Sequence, residues 1–440
     1  MNANIVDAAN AIAPQLSAQR RDFHRYPEQG WMEFRTASLV AERLSQLGFS
    51  VQLGQAVVSE CARMGVPDRQ TLDEALARAR TQGAVERWLP ALEGGFTGVV
   101  GTLDTQRPGP TQAFRFDLDA LPIVESSEAD HRPYQAGFHS INQGSMHACG
   151  HDGHATIGLG MAELLSQFSS QLVGKIKLIF QPAEEGVRGS QSMVEAGVVD
   201  DVDSLVATHL GLGHPSGQVI CAADGFLATT KLDVHFSGKA AHAGGQPEVG
   251  HNALLAAAQA TLGLHAIAPH SQGAARINVG QLHAGSGRNI IADSALLTLE
   301  TRGATADINS YMEKRAFEVL KGAAAMQGVS ISTERVGAAS ACAASPALVE
   351  KIAACLAAYP GITQLVRRDV TPAGSEDATS LMARVMERGG QATYMIFGAD
   401  LAAGHHHACF DFDETVIPLA VGALMQIALD PFASSITTVS

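Results

Sequence analysis

The stretch MHACGHDGHATIGLG, residues 146–160, holds three histidines (His147, His151, His154), Cys149 and Asp152 ahead of a run of small apolar residues. Imidazole, thiolate and carboxylate are the side chains that hold divalent transition metals. Four more stretches carry groups of the same kind. FRFDLDALP supplies Asp117 and Asp119, LIFQPAEEG supplies Glu184 and Glu185, VATHLG supplies His209, and MIFGADLAAGHHHACF supplies His405, His406 and His407. Each alone has an ordinary explanation: an inert buried thiol, a solvated acidic pair, a surface histidine cluster. Together they suit a pair of divalent ions. Two metals about 3.5–4 Å apart polarise a carbonyl and generate hydroxide from water near neutral pH. A neighbouring carboxylate that stays off the metal then carries the water's proton to the leaving amine. Adjacent glutamates meet both needs, one turned onto the metal and one free.

Positioning these groups is the work of the elements that precede them. The segments 96–103, 111–119, 174–182 and 203–211 read as strands, with a helix from about Thr156 to Phe168. Strand–helix alternation predicts a doubly wound α/β sheet, and ligands bind beyond the carboxyl ends of its strands. The N-terminal 5–48 is helical in spacing, and 58–95 also reads as mostly helical. From about Thr229 the order becomes strand–helix–strand–strand–helix–strand, with helices at 251–267 and 306–327, which fits a ferredoxin-like α+β unit. After Ser345 the α/β pattern returns, with helices at 346–359 and 415–430 around a strand near ATYMIFG. The expected architecture is a discontinuous catalytic domain, 1–225 and 341–440, built on a doubly wound mixed sheet. Residues 226–340 form an inserted ferredoxin-like domain for dimerisation or lid formation.

A chain of 440 residues exceeds what a single core usually fills. Thirty basic against 44 acidic residues give a formal charge of −14, which argues against nucleic acid or an anionic membrane as partner. A small acidic substrate remains compatible, because one local Arg can grip a carboxylate. The six cysteines lie far apart without a CxxC pair, so they do not read as a disulfide framework. Neither a signal pattern nor a run of transmembrane length is visible, so a cytoplasmic enzyme is expected.

The motifs RRDFHRYPEQGWMEFRTA, FDLDALPIVE, MHACGHDGHA, QPAEEGVRGS, HAGGQPEVGHNAL, AGSEDATSLM and HHHACFDFDE, in that order, resemble the amidohydrolase branch of the aminoacylase/carboxypeptidase metallopeptidases. That branch includes hippurate hydrolases and hydrolases of indole-acetyl amino acids. The resemblance spans nearly the whole chain. The extra segment at 52–95 points within the branch to enzymes acting on aroyl-glutamates such as p-aminobenzoyl-glutamate. In that subgroup the working enzyme pairs two homologous chains, so a hetero-oligomer with a B subunit, or a homodimer, is implied.

The resemblance implies Cys149, His151, Glu185, His209 and His406 as ligands of two divalent ions, Mn²⁺ or Zn²⁺. A thiolate favours the softer Zn²⁺, while the carboxylates suit Mn²⁺ as well. Glu184 becomes the general acid/base, and Asp119 orients a ligand. His406 is preferred over its two neighbours because it stands four residues before Phe410; the assignment is open by one position. His242, in AAHAGGQP, corresponds to a histidine that reaches across a dimer interface to stabilise the oxyanion. Arg288 and Asn289, in GSGRNIIAD, match a substrate-facing loop, where the Arg suits either a substrate carboxylate or a structural ion pair. The implied reaction is hydrolysis of an N-acyl or N-aroyl amino acid. The competing readings are a broader aminoacylase or hippurate-type hydrolase and a catalytically silent metal-binding chain, whose expected mark, loss of Glu184 or of a ligand, is not seen.

Overall fold

The computed structural model describes residues 2–370 and 374–432. Among the described residues twelve strands form two sheets: β1 Ser50–Leu53, β2 Val99–Asp104, β3 Thr111–Asp117, β4 Lys175–Gln181, β5 Ser204–Leu210, β6 Gln218–Ile220, β7 Ala228–Ser237, β8 Ala275–Ala284, β9 Ser294–Gly303, β10 Ser330–Ala339, β11 Gln364–Val366 and β12 Gln391–Phe397. The larger sheet is mixed, in the order β1-β2-β4-β3-β5-β12-β6-β11. Its centre, β4-β3-β5-β12, is parallel. These strands are buried along nearly their whole length because helices cover both faces, as parallel sheets require.

Four adjacent parallel strands end at one edge of the sheet, and that alone brings most of the metal-capable residues together. Asp117 closes β3, Glu184 and Glu185 follow β4, His209 sits near the end of β5, and the loop after β12 carries His405, His406 and His407. The helix His151–Gln167 delivers its first residue to the same edge. It is buried almost all round, and three of its glycines let neighbours approach closely. A Cβ on Gly158 would lie 2.7 Å from both Phe116 and Phe180, and one on Gly160 would lie 2.8 Å from Leu16 and Val421. Glycine costs helix propensity, but here it is what lets this helix lie flat on the sheet.

The second sheet, β10-β7-β9-β8, is wholly antiparallel. The helices Ala253–His265 and Ala306–Gln327 pack on one of its faces through Leu232, Val234, Phe236, Leu297 and Leu299. The strand–helix–strand–strand–helix–strand order and this strand arrangement make the ferredoxin-like unit. The molecule is therefore α/β with a large mixed sheet and a second, antiparallel one.

Some local expectations need correction. The helix expected from Thr156 starts at His151, since the left-handed Gly150 (φ 94°) turns the chain directly into it. Gly153 and Gly158 mask its early turns in the sequence. Within 58–95 the only long helix is Arg69–Thr81 and most of the rest is turns; just before this segment, β1 adds an antiparallel edge strand to β2. The three-residue strands β6 and β11 and the helix Ala378–Glu387 are too short or too weakly patterned to have been singled out.

Candidate active site

Cys149, Glu184, Glu185, His209, His405 and His406 line a cavity of about 360 Å³ together with Lys231, Arg302, Glu376 and Tyr394. His151 is fully buried directly behind it. Possible ligand atoms of Cys149, His151 and His209 lie within 4.8 Å of one another, as do those of Cys149, Glu185 and His406 and those of His151, Glu184 and Glu185. Cys149, His151 and Glu185 each belong to two of these groups, so the three sets form one continuous cluster. A larger cavity of about 420 Å³, between the first and last helices, is lined by no acidic, basic or histidine residue.

The hydrogen bonds fix which nitrogens are free. The Nδ1 of His209 lies 2.8 Å from the carbonyl of Leu210, which only accepts, so the proton sits on Nδ1 and the Nε2 lone pair points at Cys149 Sγ, 3.5 Å away. His154 accepts from the Leu210 amide on Nε2 and donates from Nδ1 to Asp117 at 2.5 Å. Its lone pair is used, so it braces β3 against β5. Among the three histidines of the last loop, His405 accepts from the Leu212 amide and His407 from the Cys409 amide. His406, in a left-handed conformation (φ 64°), instead holds Nε2 3.5 Å from Glu185 Oε1. His147 is buried with neither ring nitrogen bonded and belongs to none of the metal-capable groups found among the described residues.

Asp119 accepts from the backbone amides of both Glu184 and Glu185 at 2.9 Å and stands 3.4 Å from His151 Nδ1. It thus fixes the two-glutamate turn and stands beside one imidazole of the cluster. Glu33, buried under the same turn, accepts from the Ala183 amide and the Thr97 hydroxyl. Nothing in the sequence marks Glu33 for this role, although it stands within RRDFHRYPEQGWMEFRTA. The same holds for Glu376 and Asp377 of AGSEDATSLM, whose Ala373 lies outside the described residues. Arg115, fully buried on β3, pairs with Asp117 (2.6 Å), Glu376 (3.0 Å) and Asp377 (3.2 Å), and the Tyr394 hydroxyl donates to Glu376. An arginine inside a strand gave no signal that it would anchor three carboxylates.

His242, Arg288 and Asn289 do not reach the cavity. They lie together on exposed loops of the smaller sheet, where Ala243 N donates to the Asn289 carbonyl and His242 bridges Ile290. The segment 52–95 also contributes no residue to the cavity lining. It packs at the sheet edge, with the Met64 carbonyl accepting from Trp31 and the Gly65 carbonyl from Arg188.

The electrostatics of the cluster call for cations. Burial, then the charges of Glu376, Glu185 and Asp377, push the Glu184 carboxyl well above the usual range. Burial lifts Glu185 to about 7 despite His151, and Glu33 to about 8 with help from Asp119. Burial and Glu185 also push the Cys149 thiol up. His209 is held neutral, first by burial and then by His154 and His405. Both nitrogens of His151 and Oε1 of Glu185 are buried without a hydrogen-bond partner. A cluster with surplus carboxylate, neutral imidazole lone pairs and orphaned buried ligand atoms fits divalent cations, which would draw the thiol to thiolate and hold the carboxylates ionised.

The model of Peptidase family M20/M25/M40 matches residues 113–430. A p-aminobenzoyl-glutamate hydrolase chain of Escherichia coli (strain K12), one subunit of that enzyme, is 59% identical over 96% of this chain and 97% of its own length. An indole-3-acetyl-aspartic acid hydrolase from Enterobacter agglomerans is 57% identical over 95% and 96%. The crystal structure of an aminobenzoyl-glutamate utilization protein from Klebsiella pneumoniae superposes with a TM-score of 0.84 at 52% identity, covering 96% of this chain and 97% of that one. This chain belongs to peptidase family M20/M25/M40, a metal-dependent family, and is a hydrolase of amide bonds.

Proposed function

We propose that the chain hydrolyses the amide bond between an aroyl or acyl group and an acidic amino acid, with p-aminobenzoyl-glutamate the first candidate, giving p-aminobenzoate and glutamate. The observation that carries this reading is 59% identity, across 96% of the chain, to a protein named for that reaction. A second reading, cleavage of an indole-acetyl-aspartate, rests on the relative at 57%.

On this reading Cys149, His151, Glu185, His209 and His406 hold two divalent ions, with Zn²⁺ favoured by the thiolate and Mn²⁺ compatible with the carboxylates. Such ions supply, when bound, Lewis acidity toward a carbonyl and a water that ionises near neutral pH. Glu184 does the proton work. It lines the cavity, and the Asp119 clamp on its amide fixes its backbone. It accepts a proton from the attacking water as the C–O bond forms and delivers it to the amide nitrogen as the C–N bond breaks. Asp119 orients His151, and the hydrogen bond from His209 Nδ1 to the Leu210 carbonyl keeps its Nε2 available.

Residues 1–225 and 341–440 serve as the catalytic domain and 226–340 as the dimerisation or lid domain. The exposed patch of His242, Arg288 and Asn289 serves the cavity of a second chain, with His242 on the oxyanion and Arg288 on a substrate carboxylate. That chain is a homologous B subunit or a second copy. A broader aminoacylase would be expected to accept hippurate and acetyl amino acids equally.

The test is steady-state hydrolysis by the purified chain after chelation and refilling with Mn²⁺ or Zn²⁺. p-Aminobenzoyl-glutamate, indole-acetyl-aspartate, hippurate and N-acetyl-methionine are compared. Turnover of the first well above the last two is expected; preference for hippurate or acetyl-methionine would contradict the proposal.

A further inference from the structure

The turn that carries the two glutamates is bent against the backbone's own preference. Ala183 (φ 50°), Gly186 (φ 86°) and Val187 (φ 59°) are all left-handed. That conformation is costly for a residue with a Cβ, most of all a β-branched valine, and persists only where the surroundings impose it. Carboxylates hold the amide side: Glu33 takes the Ala183 N–H, and Asp119 takes those of Glu184 and Glu185. On the carbonyl side, the Ala338 amide of β10 donates to Val187 at 2.9 Å. Arg188 Nε donates to the Glu185 carbonyl at 2.8 Å and is its only donor among the described residues.

The slot that holds the half-buried Arg188 is built from three glycines, two of them distant in sequence. A Cβ on Gly30 would collide with Nη2, one on Gly65 would lie 2.9 Å from Cδ, and one on Gly186 would lie 3.2 Å from Nε. The guanidinium pairs with no carboxylate among the described residues; its second bond runs from Nη1 to the Gly65 carbonyl at 3.0 Å. Gly65 belongs to the segment 52–95, which lines no part of the cavity. That segment is tied to the same region twice more. Ser59 N donates to the Ser192 carbonyl at 2.9 Å, and the Met64 carbonyl accepts from the buried Trp31 at 2.8 Å. One planar fork therefore links the segment to the turn that presents Glu185.

We infer that Arg188 is a positioning residue for the Glu185 carboxylate, and that the segment 52–95 serves the site through it, as the anchor of that arginine. Gly186 accepts peptide orientations closed to other residues, so the peptide between Glu185 and Gly186 is the free joint of the turn. The charge-assisted bond from Arg188 locks that joint, and the Gly65 carbonyl locks the arginine. With the joint locked, the Glu185 side chain keeps its aim beside Cys149 and His406. The inference rests on the proposed role of Glu185 as a metal ligand. A purely structural Arg188 would fasten the segment 52–95 to the body of the chain and leave metal binding untouched.

The full chain is chelated, and its Zn²⁺ affinity is measured by competition with a chromophoric chelator. Wild type is compared with Arg188→Met, Arg188→Lys, Gly65→Ala and Glu185→Ala, with urea unfolding of the metal-free proteins read in parallel. Arg188→Met is expected to weaken one of the two ions about 10–100-fold, the usual effect of losing a group that orients a ligand. Arg188→Lys should keep part of the affinity, because an ammonium still donates to a carbonyl but lacks the fork that reaches two. Gly65→Ala crowds Cδ without removing the guanidinium and should shift affinity the same way, which keeps the test open if Arg188→Met does not fold. Wild-type affinity for both ions in Arg188→Met, or in Gly65→Ala where only that variant folds, would overturn the inference whatever happens to stability. If Glu185→Ala loses an ion and Arg188→Met does not, the ligand assignment stands and the positioning role falls. Unchanged affinity in Glu185→Ala would remove the ligand assignment, and the inference with it.

Discussion

At the residue scale, the proposed division of work between the two adjacent glutamates follows from their surroundings. Glu185 belongs with Cys149 and His406, while Glu184 sits among Glu376, Asp377 and His151, where burial and like charge keep a proton close to it. Glu184→Gln should lower kcat by about 10²–10⁴ while leaving metal content and the circular-dichroism spectrum as in wild type, the signature of a lost proton shuttle rather than a lost ligand. The residue letters of this site were largely legible in the sequence, because thiol, imidazole and carboxylate at successive strand ends carry their chemistry with them. The choice within HHH was not. It depends on which imidazole spends its lone pair on a backbone amide, and only three-dimensional placement gives His405 the Leu212 amide and His407 the Cys409 amide. Lys231 and Arg302 were invisible for a similar reason. In a strand of alternating burial a cation reads as the solvent face, and nothing in the sequence says that the cavity lies on that side.

At the element scale, the site rests on a buried charge network tying the helix Ala13–Arg25 to the helix that starts at His151. Arg20 and Asp152 are both fully buried 2.8 Å apart, and His24 bonds Asp152 at 2.8 Å and Glu125 at 3.0 Å. Burial alone would raise the Asp152 pKa, but Arg20 and His24 hold it well below the usual carboxylate range. Burial and Arg20 push His24 down, yet its bonds to Asp152 and Glu125 and the charge of Asp152 carry it above its ordinary value. The signs of the two contributions differ. A depressed carboxylate stabilises the fold above its unfolded pKa, about 3.9, and loses that contribution as pH falls through the folded value. A raised histidine stabilises fully below about 6.5 and loses that contribution as pH rises through the folded value. Asp152→Asn should therefore cost about 3 kcal/mol, the low end for a broken buried pair because Arg20 keeps Asp411 and Glu414. The gap between wild-type and variant stability should be widest between about pH 4 and 6.5 and narrow on both sides, as read by urea unfolding across pH. A gap independent of pH would mean that the network's charge does not matter. The helices and long strands of this framework were readable from periodicity. The start of the helix at His151 was not, because Gly153 and Gly158 serve packing against Leu210, Phe116 and Phe180 and dilute the helical signal.

At the scale of the whole molecule, the larger sheet completes a metal-capable cluster while His242, Arg288 and Asn289 face solvent on the smaller one. Surface loops holding an arginine and an oxyanion-type donor away from the chain's own cavity fit a site completed between chains. If a second copy completes it, Glu184→Gln and His242→Ala proteins, each nearly inactive, should regain activity when co-refolded, because a mixed dimer holds one intact site. If mixing restores nothing but a homologous partner chain does, the hetero-oligomer is the working form. The order of strands and helices from Thr229 to about 340 made the ferredoxin-like unit legible. Docking on a second chain, as proposed, would be a property of surfaces and leaves no pattern in one sequence.

The claim on which all three scales depend is that the cluster around Cys149 holds two divalent ions for amide hydrolysis. The most direct measurement is a metal titration of the chelated protein, reading bound Zn²⁺ or Mn²⁺ by mass spectrometry alongside hydrolysis of p-aminobenzoyl-glutamate, together with a homologous partner chain if the protein requires one. Two ions per chain are expected in the wild type, fewer in Cys149→Ala, with turnover that returns as the sites fill. Full turnover by the metal-free protein, or two tightly bound ions in Cys149→Ala with undiminished activity, would contradict it.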